Sequence, residues 1–443
     1  MMWFGELPKR WKMQKISELF SERKTKVSDI DFTPLSVSKA GIVPQIATVA
    51  KSNAGDDRKL VLKGDFVINS RSDRRGSSGV SKYDGSVSLI NIVLKPRTDI
   101  NGKYYHYLLR SHYFIEEYYR NGRGIVADLW TTRYSEMRNI YIPLPPREEQ
   151  DQIVRFLDSK VSQINKLINA KRKKIALLQE QKLAMINQIV TRGLNLNASM
   201  KYSGIMWLGD IPVKWHIRSF SKIAKVCSNL VKPQDNLDMY QVSPASIEKH
   251  TGRLLSYSTV KETGIISDNH RFYKGQILYS KIRPMLNKVT IAPFDGLCSA
   301  DMYPIETKLQ TKYLMYFMLS STFLSQLTMT GNRVKMPKIN QEELSCILIF
   351  CPPDEEQTRI VTYLETKSFS FNKLFDSIKN EINHIIEYRT RLISDVVTGK
   401  VNIHCVKVPD YETVEDIAFN DNIIDENGDL DDEPLEENDI TEN

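Results

Sequence analysis

The chain has 443 residues, 41% of them hydrophobic, and a formal net charge of +7, which is room for two to four domains of ordinary globular composition. No apolar run approaches the ~20 residues of a membrane span, and the start lacks the basic-then-apolar pattern of an export signal, so the expected location is the cytoplasm. The five cysteines (Cys227, Cys298, Cys346, Cys351, Cys405) form no C-x-x-C pair and the seven histidines show no ligand spacing, which argues for a reducing compartment and against a metal site.

Read in order, the chain contains itself twice. Met2-Trp3-Phe4-Gly5-Glu6-Leu7-Pro8, followed by Trp11, returns as Met206-Trp207-Leu208-Gly209-Asp210-Ile211-Pro212, followed by Trp215. Lys63-Gly64 and Asp84-Gly85 return as Lys274-Gly275 and Asp295-Gly296. Pro145-Pro146-Arg147-Glu148-Glu149-Gln150 returns as Pro352-Pro353-Asp354-Glu355-Glu356-Gln357. The offset drifts between 204 and 211, as loop insertions would leave it. Units of this length are two copies of one module, not a solenoid.

Residues 1–146 carry mixed signals. Short β-branched or aromatic runs such as Phe66-Val67-Ile68 sit between Gly- and Pro-marked turns, and a helix-like stretch runs from Tyr104 to Tyr119. Over residues 147–200 the pattern changes to a seven-residue repeat. Leu157, Ile164, Lys171, Leu178 and Met185 form one row, with Val161, Ile168, Ile175, Lys182 and Ile189 as its companion, a coiled-coil seam. Pro145-Pro146 blocks extension backwards, Glu148 and Glu149 suit the positive end of the helix dipole, and Gly193 stops the helix. Residues 153–191 predict roughly 58 Å of helix at ~1.5 Å per residue.

Residues 201–353 repeat the mixed domain, with Gln276-Ile277-Leu278-Tyr279 as a strand and Tyr313 to Leu327 as helix. Residues 354–400 repeat the seam through Leu364, Phe371, Ile378, Ile385, Leu392 and Ser368, Phe375, Ile382, Arg389, Val396, stopped at Gly399. The expected fold is a pseudo-twofold tandem of α/β (mixed α+β) domains, separated by two long helices that form an antiparallel coiled coil. The packing residues are Leu157, Ile164, Ile168, Ile175, Leu178 and Ile189 against Leu364, Phe371, Phe375, Ile378, Ile382, Ile385, Leu392 and Val396. Lys171, Lys182, Ser368 and Arg389 interrupt the seam and would fix its register. Residues 401–443 are expected to be a disordered acidic tail. Within it, residues 409–443 hold 15 acids and no Lys or Arg, which leaves +22 on the body. Such a tail is a solubility device or an intramolecular competitor for DNA.

A body so basic favours polyanions, nucleic acid first. The cations cluster at matching places. Arg71, Arg74, Arg75 and Lys82 follow the first Lys-Gly strand, and Lys281, Arg283 and Lys288 follow the second. Arg120, Arg123 and Arg133 precede the first Pro-Pro, and Arg333, Lys335 and Lys338 the second; Lys39 and Lys249 complete the DNA-binding set. Cations in Gly- and Ser-containing loops can follow a phosphate backbone, and arginine can read guanine bidentately. The loops differ far more between copies than the Pro-Pro and helix segments do. Both modules would therefore attach alike and read unlike DNA half-sites, separated by a fixed, non-contacted spacer.

These features resemble the specificity subunit of type I restriction-modification systems. The resemblance is carried by Trp3-Phe4-Gly5, Leu7-Pro8 and Trp11 with their repeat, by Ile142-Pro143-Leu144-Pro145-Pro146-Arg147-Glu148-Glu149-Gln150, and by Cys351-Pro352-Pro353-Asp354-Glu355-Glu356-Gln357. The helix ends Val190-Thr191-Arg192-Gly193 and Val397-Thr398-Gly399 complete it. No single motif is specific; their doubled order is, up to about residue 405. The resemblance implies two target-recognition domains reading a bipartite DNA site and two docked adenine-N6 methyltransferase subunits. It also implies restriction-translocase subunits in the full complex. No cofactor is expected on this chain; S-adenosylmethionine, ATP and Mg²⁺ would belong to the partners.

The sequence offers little for catalysis. Leu144-Pro145-Pro146-Arg147 and Cys351-Pro352-Pro353-Asp354 lack the flanking residues of an Asn/Asp-Pro-Pro-Tyr/Phe methyltransferase pocket, and no phosphate-cradling G-x-x-x-x-G-K-[ST] exists. Pro353-Asp354 with Glu365-Thr366-Lys367 fits a short nuclease pattern in which carboxylates hold Mg²⁺, but it falls on a heptad helix and the first copy has Arg147 in place of Asp354. A stand-alone DNA-binding regulator would show the same basic loops. A coiled-coil adaptor would not need the +22 body.

Overall fold

The computed structural model describes residues 2–45, 57–124, 130–195, 197–206, 208–330 and 338–416. Among these, no helix is long and apolar enough to cross a membrane. The chain divides into two compact units, Met1–Lys173 with Lys379–Asn443, and Lys174–Ile378. Both divisions fall inside a long helix, Arg147–Arg192 or Asp354–Val397. Each unit thus holds one sheet domain, part of one long helix and part of the other, which the sequence-based partition at 146, 200, 353 and 400 keeps separate.

The two sheet domains share a topology. In the first unit a four-stranded antiparallel sheet runs Phe20–Glu22, Asn91–Pro96, Phe66–Asn69, Ser78–Val80. In the second it runs Ala224–Val226, Met302–Thr307, Ile277–Ser280, Val289–Ile291. The central strands read as continuous apolar runs because both faces are covered. Phe66, Val67 and Ile68 are buried, as are Ile277, Leu278 and Tyr279. A strand near the start of each domain, Lys12–Lys15 or His216–Ser219, pairs with the strand before the Pro-Pro, Tyr141–Leu144 or Leu348–Cys351.

The two helix-like stretches are each a pair of helices. Gly102–Leu108 and His112–Arg120 replace the single span expected from Tyr104 to Tyr119, and Thr311–Met318 and Ser321–Thr330 replace that from Tyr313 to Leu327. A buried serine makes each break. Ser111 Oγ donates to Leu108 O at 2.7 Å and accepts from Phe114 N at 3.4 Å; Ser320 Oγ donates to Phe317 O at 2.6 Å and accepts from Phe323 N at 3.2 Å. Each hydroxyl closes one helix and caps the next.

The Pro-Pro-x-Glu-Glu-Gln segments work through their glutamines. Gln150, 3% exposed, accepts from Asn101 N at 3.2 Å and donates to Pro145 O at 3.0 Å. Gln357, 1% exposed, accepts from Gln310 N at 2.9 Å and donates to Pro352 O at 2.9 Å. One buried amide therefore ties the helix start to the loop before the domain's own helix pair, and the identical wiring explains the identical spelling.

Each domain also receives the end of the other long helix. In the second unit Ile186, Ile189 and Val190 enter the core around Trp215, and Tyr313 Oη donates to Val190 O at 3.4 Å and Phe350 O at 3.0 Å. In the first, Val396 and Val397 enter the core around Trp11, and Tyr104 Oη donates to Val397 O at 3.1 Å. Gly193 (φ +78°) and Gly399 (φ +76°) turn the chain out of the helices, and a Cβ on Gly399 would lie 2.6 Å from Pro8 Cδ.

Within each unit the helix segments run antiparallel. In the first, Asn165 meets Arg389 and Lys171 meets Glu381; in the second, Lys182 meets Asn372 at 3.0 Å and Trp215, beside Gly193, meets Glu356. Every expected packing residue is buried or half-buried, with Leu157, Ile168, Leu364, Phe375, Ile378 and Val396 among the most enclosed. Three of the four polar interruptions, Lys171, Lys182 and Arg389, carry cross-helix bonds, while the Ser368 hydroxyl is buried without one. Lys182 is 4% exposed and its ammonium is pushed below the ordinary lysine range by burial.

The acidic tail departs from expectation over its first part. Residues 401–416 lie on the first unit, with Ile403 buried in its core. Asn165 Nδ2 donates to Val414 O at 2.9 Å, Asn169 Nδ2 to Glu415 O at 3.0 Å, and Tyr411 Oη to Asp158. Asp416 pairs with both Arg172 and Arg389, the latter at 2.9 Å, with its own side chain 4% exposed. The compositional signal for disorder missed these few apolar and carboxylate anchors. Residues 417–443 lie outside the described residues. Burial pushes the Asp416 carboxyl up, but the two guanidiniums outweigh it and hold it below the ordinary range. Its contribution is therefore full at neutral pH and lost as pH falls through that lowered value. Asp416→Asn should cost roughly 2–3 kcal/mol at pH 7 and loosen hydrogen-exchange protection at residues 158–172; unchanged protection would show that this clasp does not hold the helix.

Candidate nucleic-acid interface

In the first domain the basic residues converge on two joined loops. The Phe66–Asn69 and Ser78–Val80 strands end in a hairpin tip that carries Arg71, Arg74 and Arg75 around a short 3-10 turn, Ser72–Arg74. A second loop brings Arg123 and Thr131 together, with Arg123 N donating to Thr131 O at 2.9 Å. Thr131 also bridges Arg71, Ser72 N donates to Trp130 O at 3.1 Å, and Thr132 N donates to Ser70 O at 3.0 Å. Arg71 and Arg123 thus flank one backbone strand, a link that spacing alone could not show. Trp130 supports it from beneath, its Nε1 donating to Tyr119 O at 2.8 Å. Gly122 makes room for that ring, since a Cβ there would lie 2.4 Å from Trp130 Nε1.

The guanidiniums on this surface are engaged lightly. Arg75 lies over the Tyr119 ring at 5.1 Å and meets Glu116 at 2.8 Å, Arg120 meets Glu117 at 2.7 Å, and Arg123 is 3.8 Å from Glu136. Arg71 and Arg74 share Asp73 at 3.7 and 3.9 Å. Exposed pairs of this kind are worth ~0–1 kcal/mol, so a phosphate can replace the carboxylates at little expense. Arg133 is exposed at the start of the next short helix. Lys39 and Lys82 have other neighbours: Lys39 is in the turn of the Leu35–Ser38 and Gly41–Pro44 hairpin and its carbonyl accepts from Arg110, while Lys82 faces Glu415 of the tail at 3.6 Å.

The second domain builds the equivalent hairpin from Ile277–Ser280 and Val289–Ile291, with the turn Pro284–Leu286 at its tip. Lys249, Arg283 and Lys288 are close enough that the first two add to the burial that lowers the Lys288 ammonium. Lys288 Nζ donates to Pro244 O at 2.7 Å, so it braces the loop. Lys281 and Lys338 converge instead on Asp301, at 3.9 and 3.4 Å. Ile282 bridges Lys338 just as Arg71 bridges Thr131. Arg333 and Lys335 lie outside the described residues.

The nuclease-like pattern has no matching geometry. Asp354, Glu365 and Lys367 all lie on the Asp354–Val397 helix, where eleven residues separate the two carboxylates by about 16 Å. Glu365 pairs with Lys312, and Lys367 lies over the Tyr363 ring at 5.7 Å.

A family model described as "Type I restriction modification DNA specificity domain" matches residues 8–177 and 212–384. The specificity subunit of the type I restriction enzyme EcoDI of Escherichia coli is 31% identical over 414 residues, covering 89% of this chain and 88% of that protein. A putative specificity subunit of the type I restriction enzyme MjaX, from Methanocaldococcus jannaschii, is 22% identical over 433 residues, covering 90% and 95%. Among solved structures, a chain from work on complex assembly and conformational transition of the type I R-M system aligns with a TM-score of 0.57 at 14% identity, over 89% of this chain and all of that one.

Proposed function

The chain belongs to the family of type I restriction-modification DNA specificity subunits, and from that premise we propose how its residues divide the work of DNA recognition. The paired hairpin tips and their neighbouring loops contact DNA, one half-site per domain. In the first domain these are Arg71, Arg74, Arg75, Arg120, Arg123 and Arg133; in the second they are Lys249, Arg283, Lys288 and Lys338. The observation that carries this is the repeated hairpin, which keeps its backbone bridge while changing its side chains. A constant mount with variable contents suits two different half-sites.

The chain performs no chemistry in this reading. Adenine-N6 methylation is the work of partner methyltransferase subunits, which bring S-adenosylmethionine and flip one adenine in each half-site. Translocase subunits bring ATP and Mg²⁺. The long helices set the distance between half-sites and offer docking surface, which is why Leu167, Leu177, Phe369 and Tyr388 stand exposed on them. The acidic residues beyond Asp416 would discourage non-specific DNA.

Arg74→Ala with Arg75→Ala, measured in the complex with its methyltransferase partner, should weaken binding to the full site and reduce the slope of log affinity against log salt by about 1–2. The bases preferred in the second half-site should not change. Unaltered affinity and slope would place the first contact surface elsewhere.

A further inference from the structure

Three residues other than glycine adopt left-handed backbone among the described residues: His250 (φ +60°), Arg283 (φ +46°) and Asn287 (φ +43°). All three meet at the second hairpin tip, where His250 N donates to Asn287 O at 3.3 Å. Such conformations persist only where the surroundings over-determine them, and they gather at functional sites. The tip of the first domain turns with a single left-handed residue, and that one is a glycine: Gly76, at φ +80°, stands at the position matching Asn287. Something is therefore gained by keeping side chains on the second tip.

The anchoring shows what. Asn287 is fully buried and its Nδ2 donates to Met318 O at 2.9 Å. Pro284 is buried, Asn287 N donates to Pro284 O at 2.9 Å, and Leu286 N to Arg283 O at 2.9 Å. Lys288 is held on Pro244 O and Lys281 near Asp301. Arg283 and Met285 are left exposed on this fixed turn, Met285 at 49%. An exposed methionine beside an exposed arginine on a rigid tip fits a base edge better than a phosphate. A guanine offers arginine two acceptors, and a thymine offers methionine a methyl group.

We propose that the Arg283–Pro284–Met285 tip is the base-reading element of the second domain, with Arg283 on a guanine and Met285 against the methyl of a neighbouring thymine. This rests on the recognition role proposed above. The test uses the assembled complex with its methyltransferase partner, first to find the methylated motif and then to bind duplexes changed at single positions of each half-site.

Arg283→Lys keeps the charge and loses the fork, so it should reduce discrimination at one guanine of the second half-site about ten-fold and leave the first half-site untouched. Met285→Ala should relax an adjacent thymine. Asn287→Gly, which accepts the same backbone but removes the anchor on Met318 O, should weaken discrimination in the second half-site and leave the first untouched. If Arg283→Lys and Met285→Ala discriminate like the unaltered chain, the tip does not read bases. If Arg283→Ala weakens all duplexes equally and Arg283→Lys restores them, Arg283 is a phosphate contact and the proposal fails. If the unaltered complex itself yields no bipartite motif, the recognition role fails instead.

Discussion

Trp215→Ala should destabilise the second unit by about 3–5 kcal/mol, the range for truncating a fully enclosed tryptophan. Trp215 is 0% exposed and packs in the cluster that also holds Ile186, Ile189 and Val190, the end of the first long helix. Its Nε1 donates to Glu356 Oε2 at 3.0 Å, so the same ring also touches the start of the second long helix. Losing it opens a cavity where helix end, helix start and domain meet, and it leaves the Glu356 carboxylate without that donor. Hydrogen exchange on the full chain should show protection lost at residues 186–190 and 354–360, with the first unit unchanged. The repeat supplies a control. Trp11 Nε1, the counterpart, is buried without a hydrogen-bond partner, so Trp11→Phe should cost less than Trp215→Phe, whose indole bonds a charged group worth ~1.5–3 kcal/mol. Equal costs would show that the hydrogen bond to Glu356 contributes nothing.

Deleting one matched heptad from each long helix should shift the target, not abolish the fold. Seven residues remove about 10.5 Å of helix, close to three base pairs of duplex at roughly 34 Å per turn of about 10. A whole heptad preserves the seam, because each a or d position is replaced by its equivalent. The shortened chain, expressed with its methyltransferase partner, should stop methylating the original site and methylate one with the same half-sites and a spacer shorter by about three base pairs. An unaltered spacer would refute the helices as a ruler. Removing four residues from one helix alone should behave differently, since it turns the apolar row away from its partner and costs stability first.

Much of this arrangement is legible in the sequence because repetition doubles weak signals. One Pro-Pro-x-Glu-Glu-Gln is a common string; two of them, each opening a heptad helix, define the module. The seam was readable residue by residue because helical packing is local and periodic, and Leu157, Ile168, Phe375 and Ile378 are enclosed as that period requires. Contacts across long stretches of chain were not readable. Nothing near Thr131 announces that it bridges both Arg71 and Arg123. Nothing in Asp416, one acid among many, announces Arg172 and Arg389. Ser111 and Ser320 were hidden because a buried serine inside an apolar run reads as helix interior until its hydroxyl is seen closing one helix and capping the next. The left-handed tip at Arg283 and Asn287 lacks the glycine that normally marks such backbone, so composition gave no warning.

The most direct measurement is single-molecule methylome sequencing of a host carrying this gene, with and without a co-expressed type I methyltransferase subunit gene. One new bipartite motif is expected, two unlike half-sites around a fixed non-contacted spacer, with N6-methyladenine in both halves and only when both genes are present. Methylation of a single continuous site, or no new motif with the partner expressed, would contradict it.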